Sequence, residues 1–163
     1  MTVEEYNESL DLYADSLYRF LKKNMGDAEK AEDVVQDTFE KLWTEHESVE
    51  YINMRAYIYT SAYHFMIREV NRVRDFGHLR NENLDELGGQ GGDQYSDHKD
   101  VLDKILQGMP PEQRTAVLLR DYEGYTYEEI AVLTGTTAVN VRKYVYRARE
   151  SFKKYLVSIE NII

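Results

Sequence analysis

Apolar residues recur at spacings of three and four along nearly the whole chain, and no stretch alternates as a half-buried strand requires. Tyr6, Leu10, Tyr13, Ala14, Leu17 and Leu21 make one such face. Gly26 is placed to end that first helix and Asp27 to cap a second, whose inward side is Ala31, Val35, Thr38, Phe39 and Leu42. The polar stretch Thr44 to Asn53 reads as a loop holding Tyr51 and Ile52. A third helix runs from about Met54 to Arg74, with Ile58, Ala62, Phe65 and Glu69 on one side. Helical spacing resumes at Val101, Ile105 and Leu106. Pro110 and Pro111 then break and restart the chain, with Pro111 in the first turn of a helix that ends at Gly124. The segment between, rich in glycine and acid, loses all periodicity and reads as a tether. Its GGQGG piece lacks the lysine and flanking strand of a phosphate loop. The pattern predicts an all-α chain: two small helical domains, 1–75 and 98–163, joined by a flexible linker over 76–97.

The last part of the chain is the most specific. Thr126 and Glu129 have the spacing of a capping box, and Ile130, Ala131 and Leu133 supply an apolar face for the helix they start. Gly135 stands where a helix-turn-helix needs a left-handed residue. Thr137 is placed to cap a second helix, on which Val141, Val145, Ala148 and Phe152 share the inner side. The positions left facing outward include Thr137, Val139, Asn140, Arg142, Lys143, Tyr146, Arg147 and Arg149. They mix groups that read base edges with groups that neutralise phosphates. Between residues 136 and 156 six Lys/Arg stand against the single acid Glu150. Duplex DNA is the expected partner of this face.

A net charge of -10 opposes DNA binding until it is divided along the chain. Residues 1–50 carry -9 and 81–109 carry -5, whereas 51–80 carry +3 and 110–163 carry +1. Such segregation predicts separate surfaces for different partners. The chain has no cysteine, so disulfides, thiolate metal sites and thiol redox sensing are excluded, which suits the cytoplasm. His46, His64, His78 and His98 are scattered, with no metal-ligand spacing, so neither metal nor cofactor is expected. No apolar run approaches the roughly 20 residues of a membrane span, and no signal-peptide pattern opens the chain.

Two further stripes carry potential chemistry. On the second helix Glu29, Asp33, Gln36 and Glu40 line up opposite the apolar side, with Asp37 at the edge. By composition alone this is a solvated outer face. On the third helix Tyr57, Ser61, His64, Arg68 and Asn71 fall on one line, with Arg72 and Arg74 near. Flat rings for unstacked bases and cations for phosphates are what a single-strand surface requires, although helical tyrosines also serve as packing residues.

The order of the segments AEDVVQDTFEKLW (31–43), RAYIYTSAYHF (55–65), MPPEQRTAVLLRDYEGYTYEEIA (109–131) and VRKYVYRAR (141–149) resembles the extracytoplasmic-function (ECF) sigma factors of bacterial RNA polymerase. The resemblance implies a promoter-recognition subunit with two domains. It assigns Asp33, Gln36, Asp37 and Glu40 to the helix that docks on the clamp helices of the polymerase largest subunit, which turns the acidic stripe from a solvated face into an interface. It assigns Tyr57, Ser61, His64, Arg68 and Asn71, with the loop 44–53, to melting of the minus-ten element and capture of a flipped base. The helix-turn-helix then reads the minus-thirty-five element. The resemblance also implies an anti-sigma partner, often membrane-bound in the family. Tyr57 stands where the family commonly has tryptophan, His64 where it has asparagine, and Lys143–Tyr144 replace a serine–arginine pair, so base preferences are this chain's own.

Two other classes compete. A conventional helix-turn-helix regulator would use the same C-terminal segment on palindromic sites without polymerase. A nucleic-acid enzyme would need an activated nucleophile, and neither Ser61 nor Ser151 has catalytic surroundings in sequence, so no catalytic residue is assigned.

Overall fold

The computed structural model of the chain describes residues 1–79 and 97–160, and within them every regular element is helical. Helix α1 (Val3–Met25) starts where the Thr2 hydroxyl accepts the Glu5 amide at 3.1 Å. It ends at Gly26, whose φ of 71° lets its amide turn back to the Lys22 carbonyl. Asp27 caps α2 (Ala28–Thr44) through the Lys30 amide at 3.1 Å. The expected loop that follows holds two single turns of 3-10 helix, His46–Ser48 and Tyr51–Asn53. Helix α3 (Met54–Leu79) runs past the expected end near Arg74. Most of the expected linker, residues 80–96, lies outside the described residues; α4 (Asp97–Gly108) begins at its end.

Helices α1 to α3 share an apolar centre of Leu17, Phe20, Leu21, Ala31, Val34, Phe39, Leu42, Ile58, Ala62 and Met66, all buried. Val34 rather than Val35 takes the inner place on α2: the run 31, 34, 38, 42 keeps pace with 3.6 residues per turn, leaving Val35 half-buried. The C-terminal unit is built from α4, α5 (Pro111–Val117), α6 (Tyr127–Thr134) and α7 (Ala138–Glu160) around Leu106, Val117, Leu118, Leu119, Ile130, Val141, Val145 and Ala148. The helix expected to continue to Gly124 instead widens into a π-turn over Leu118–Tyr122, closed by the Glu123 amide on the Leu118 carbonyl at 3.1 Å. Gly124, at φ 77°, then reverses the chain.

The two units pack against each other. Gln107 on α4 donates to the Lys23 carbonyl at the end of α1, and the buried side chains of Asn24 and Thr115 bond across the boundary at 3.1 Å. The Tyr59 ring, 1 % exposed, lies against Phe20 on one side and Tyr125 on the other.

The capping box at α6 yields a stability prediction. Thr126 and Glu129 exchange both bonds, at 3.1 and 3.0 Å. Thr126→Ala should cost about 1 kcal/mol, lowering the thermal midpoint by about 2–4 °C. The bond from the Thr126 backbone holds the Glu129 carboxyl below its usual 4.5. Its stabilisation is therefore full above 4.5 and fades as pH falls through the depressed folded value. Melting Glu129→Gln across acidic pH should show a flatter profile than wild type.

Candidate nucleic-acid interface

The helix-turn-helix forms as the residues require. Gly135 takes φ 77°, and its amide and that of Thr136 both return to the Ala131 carbonyl, at 2.9 and 3.0 Å. The Thr137 hydroxyl accepts the Asn140 amide at 3.2 Å and so caps α7. With Val141, Val145 and Ala148 buried, the opposite side of α7 is turned outward. Thr137, Val139, Arg142, Lys143, Tyr146 and Arg147 are all exposed there, and Asn140 is half-buried because its side-chain amide donates to the Thr136 hydroxyl at 3.0 Å. These seven residues share one face. Phe152, expected inside, is only half-buried.

The cations on this face differ in freedom. Arg149 is committed elsewhere, donating to both carboxylate oxygens of Asp121 at 2.6 and 3.2 Å. Arg142 lies 3.7 Å from Glu128 and 5.5 Å from the centre of the Tyr127 ring. Among the described residues, no salt bridge engages Lys143 or Arg147. Sequence spacing could not show that Arg120 and Arg142, from different elements, both lie over the Tyr127 ring.

On α3 the outcome is divided. His64, Arg68 and Asn71 are exposed on one line, as spacing predicted. Ser61 departs from it: only 4 % exposed, it faces inward and cannot touch a strand on that surface. Tyr57 is half-buried, and its hydroxyl bonds the Glu45 carboxylate. Burial and that bond push the phenol up to about 12, so the ring stays neutral with its edge fixed. Lys41, reaching over from α2, sits 5.6 Å from the Tyr57 ring and 5.9 Å from Phe65, and Arg68 lies 5.4 Å from Phe65 on its own helix. The resulting patch of two rings and two cations was invisible to a one-helix pattern. The loop presents Ile52, 84 % exposed, and at the end of α2 Trp43 stacks on His46 at 4.6 Å.

The third surface is acidic. Asp33, Gln36, Asp37 and Glu40 are all exposed along α2, and no salt bridge among the described residues uses these carboxylates. Nothing in the described residues groups histidines and acids as a metal site would.

The described residues thus form an all-α fold with three separate exposed surfaces: a basic helix-turn-helix, a ring-and-cation patch and an acidic helix. Comparison gives the class. Residues 10–75 match the model of Sigma-70 region 2, and residues 99–152 that of Sigma-70, region 4. The chain is 27 % identical over 159 residues to the ECF RNA polymerase sigma factor SigE of Mycolicibacterium smegmatis, covering 93 % of itself but 61 % of that protein. It is 24 % identical to the ECF sigma factor SigM of Bacillus subtilis, with 94 % of each covered. Among solved structures, the sigma factor RpoE from Bartonella quintana, in complex with the anti-sigma factor NepR, superposes with a TM-score of 0.75 at 27 % identity, over 94 % of this chain and 98 % of that one. The chain belongs to the ECF sigma factors.

The contrast on α7 is testable by salt titration on a mixed-sequence duplex. Arg147→Ala should weaken binding uniformly and reduce the salt slope by about one. Arg149→Ala, whose cation is already neutralised by Asp121, should leave that slope unchanged.

Proposed function

We propose that the chain binds core RNA polymerase through Asp33, Gln36, Asp37 and Glu40 and directs initiation at promoters bearing minus-ten and minus-thirty-five elements. The observation that carries this reading is the segregation of charge over three exposed surfaces, acidic on α2 and cationic on α3 and α7. An acidic helix repels DNA and suits a basic coiled coil such as the polymerase clamp helices. The outward face of α7, from Thr137 to Arg147, reads the duplex. Tyr57, His64, Arg68 and Asn71, joined by Lys41, hold the opened strand, each stacked base contributing on the order of 1–3 kcal/mol. Ser61 acts behind this surface, supporting Tyr57, rather than on it.

The family is one of initiation factors, and in this reading no bond chemistry belongs to the chain. Strand opening is driven by binding. An anti-sigma partner fits the same reading, since the related RpoE was solved bound to one. No helix among the described residues is long and apolar enough to cross a membrane, and the proposed site of action is the cytoplasm, where the polymerase works. A conventional regulator would leave the Sigma-70 region 2 match and the acidic helix without a purpose.

The polymerase contact is tested by Asp33→Asn, Asp37→Asn and Glu40→Gln together, all at exposed sites. Affinity for core polymerase should fall about tenfold or more, most steeply at low salt, with the melting temperature unchanged. Unaltered affinity would remove α2 from the interface.

A further inference from the structure

A cavity of about 110 Å³ opens where α3 meets α5, α6 and the start of α7. Its floor is apolar, made by Ile67 of α3 with Ala116, Ile130 and Val141, the last three buried. Three threonines also line it, but their hydroxyls are engaged within the protein. Thr134 donates to the Ile130 carbonyl at 2.7 Å, Thr115 exchanges bonds with Asn24 at 3.1 and 3.3 Å, and Thr136 accepts from the Asn140 amide at 3.0 Å. A polar group pushed to this depth would give up its hydration for little return, whereas a hydrocarbon loses nothing there.

The more exposed part of the wall has the opposite character. Glu112, in the first turn of α5, is exposed there, between the half-buried Tyr63 and Tyr144 in exposure and depth. No salt bridge among the described residues uses the Glu112 carboxylate. Arg114 on the same helix feels that charge, yet its guanidinium is turned to Gln107, at 2.7 Å. Burial, and then the charge of Glu112, raise the Tyr63 phenol above its ordinary value, so the ring stays neutral beside the carboxylate. A carboxylate without a partner and two tyrosine rings together attract a cation.

Size and charge then define the ligand. A dry cavity of about 150 Å³ admits benzene, so this smaller one suits a branched chain of about five carbons. An acid of that shape would meet the charge of Glu112, and an alcohol would leave it unneutralised. The net charge of -10 also draws cations toward the chain.

We propose that this cavity binds a small branched aliphatic amine, its hydrocarbon on Ile67, Ala116, Ile130 and Val141 and its ammonium on Glu112 beside Tyr63 and Tyr144. The site lies directly behind both DNA-facing surfaces. Tyr63 and Ile67 precede His64 and Arg68 on α3, while Thr136 precedes Thr137 and Tyr144 follows Lys143. Amine binding here does not require that the chain direct transcription.

The test is an NMR titration of the full chain, read at the methyl groups of the floor. Isoamylamine should shift the Ile67, Ala116, Ile130 and Val141 methyls with a Kd on the order of 1 mM, as a ligand of about six heavy atoms allows. Isoamyl alcohol should bind about threefold more weakly, the contribution of a part-exposed ion pair, and isovalerate more weakly still. In Glu112→Gln the amine should fall to the affinity of the alcohol, whose own binding is unchanged. Glu112→Lys should reverse the order, with isovalerate now preferred. Ala116→Leu, which fills the floor, should abolish the shifts at the other three residues for every probe. Because Glu112 is exposed, its two variants decide the matter even where Ala116→Leu fails to fold. No methyl shift with the amine, equal affinity for the three probes, or an order of preference unchanged in Glu112→Lys would each overturn the site.

Discussion

Helix α3 must satisfy three neighbours at once, and the rest of the molecule is arranged around that constraint. Ile58, Ala62 and Met66 hold it in the N-terminal core. Arg55 and Tyr59 turn toward the C-terminal unit, where they meet Glu123 and Tyr125. Along the packed part of the helix the side with His64 and Arg68 stays open, and from Val70 to Asp75 the helix is exposed all round. A helix used on so many sides has no wide polar face, and the face it does leave beside Tyr57 and Phe65 is widened by Lys41 from α2.

The electrostatic division follows from the same economy of surface. Acid lies along α2, away from the inner side that Ala31, Val34 and Leu42 commit to the core. Cations collect where α3 and α7 turn outward. Neither region dilutes the other, so a net charge of -10 is compatible with DNA contact at two separate places. The acidic remainder also disfavours indiscriminate binding to nucleic acid, leaving tight recognition to the polymerase-bound form.

Local chemistry made much of this legible in sequence. The caps and the turn of the helix-turn-helix depend on bonds no more than five residues apart, and spacing identifies both capping pairs, Thr126 with Glu129 and Thr137 with Asn140. The acidic stripe on α2 is equally local. Ser61 was misplaced because a one-face helical pattern fails for a helix packed on several sides. The π-turn left no signal, since the apolar run from Ala116 to Leu119 serves a regular helix as well. The hydrogen bonds between units join residues 64 to 91 positions apart, and the contact depends on which of many tyrosines meet, which no periodicity encodes. The family resemblance supplied what the residues alone left open, the meaning of the acidic helix.

The central claim is that one small chain converts core polymerase into a reader of two elements. Its most direct measurement is run-off transcription with purified core polymerase over a genomic promoter library, with start sites mapped. The account predicts initiation only when the chain is present, at starts that share two upstream motifs held at a fixed spacing. Absence of initiation on every template, or binding of the free chain to palindromic sites with no effect of polymerase, would contradict it.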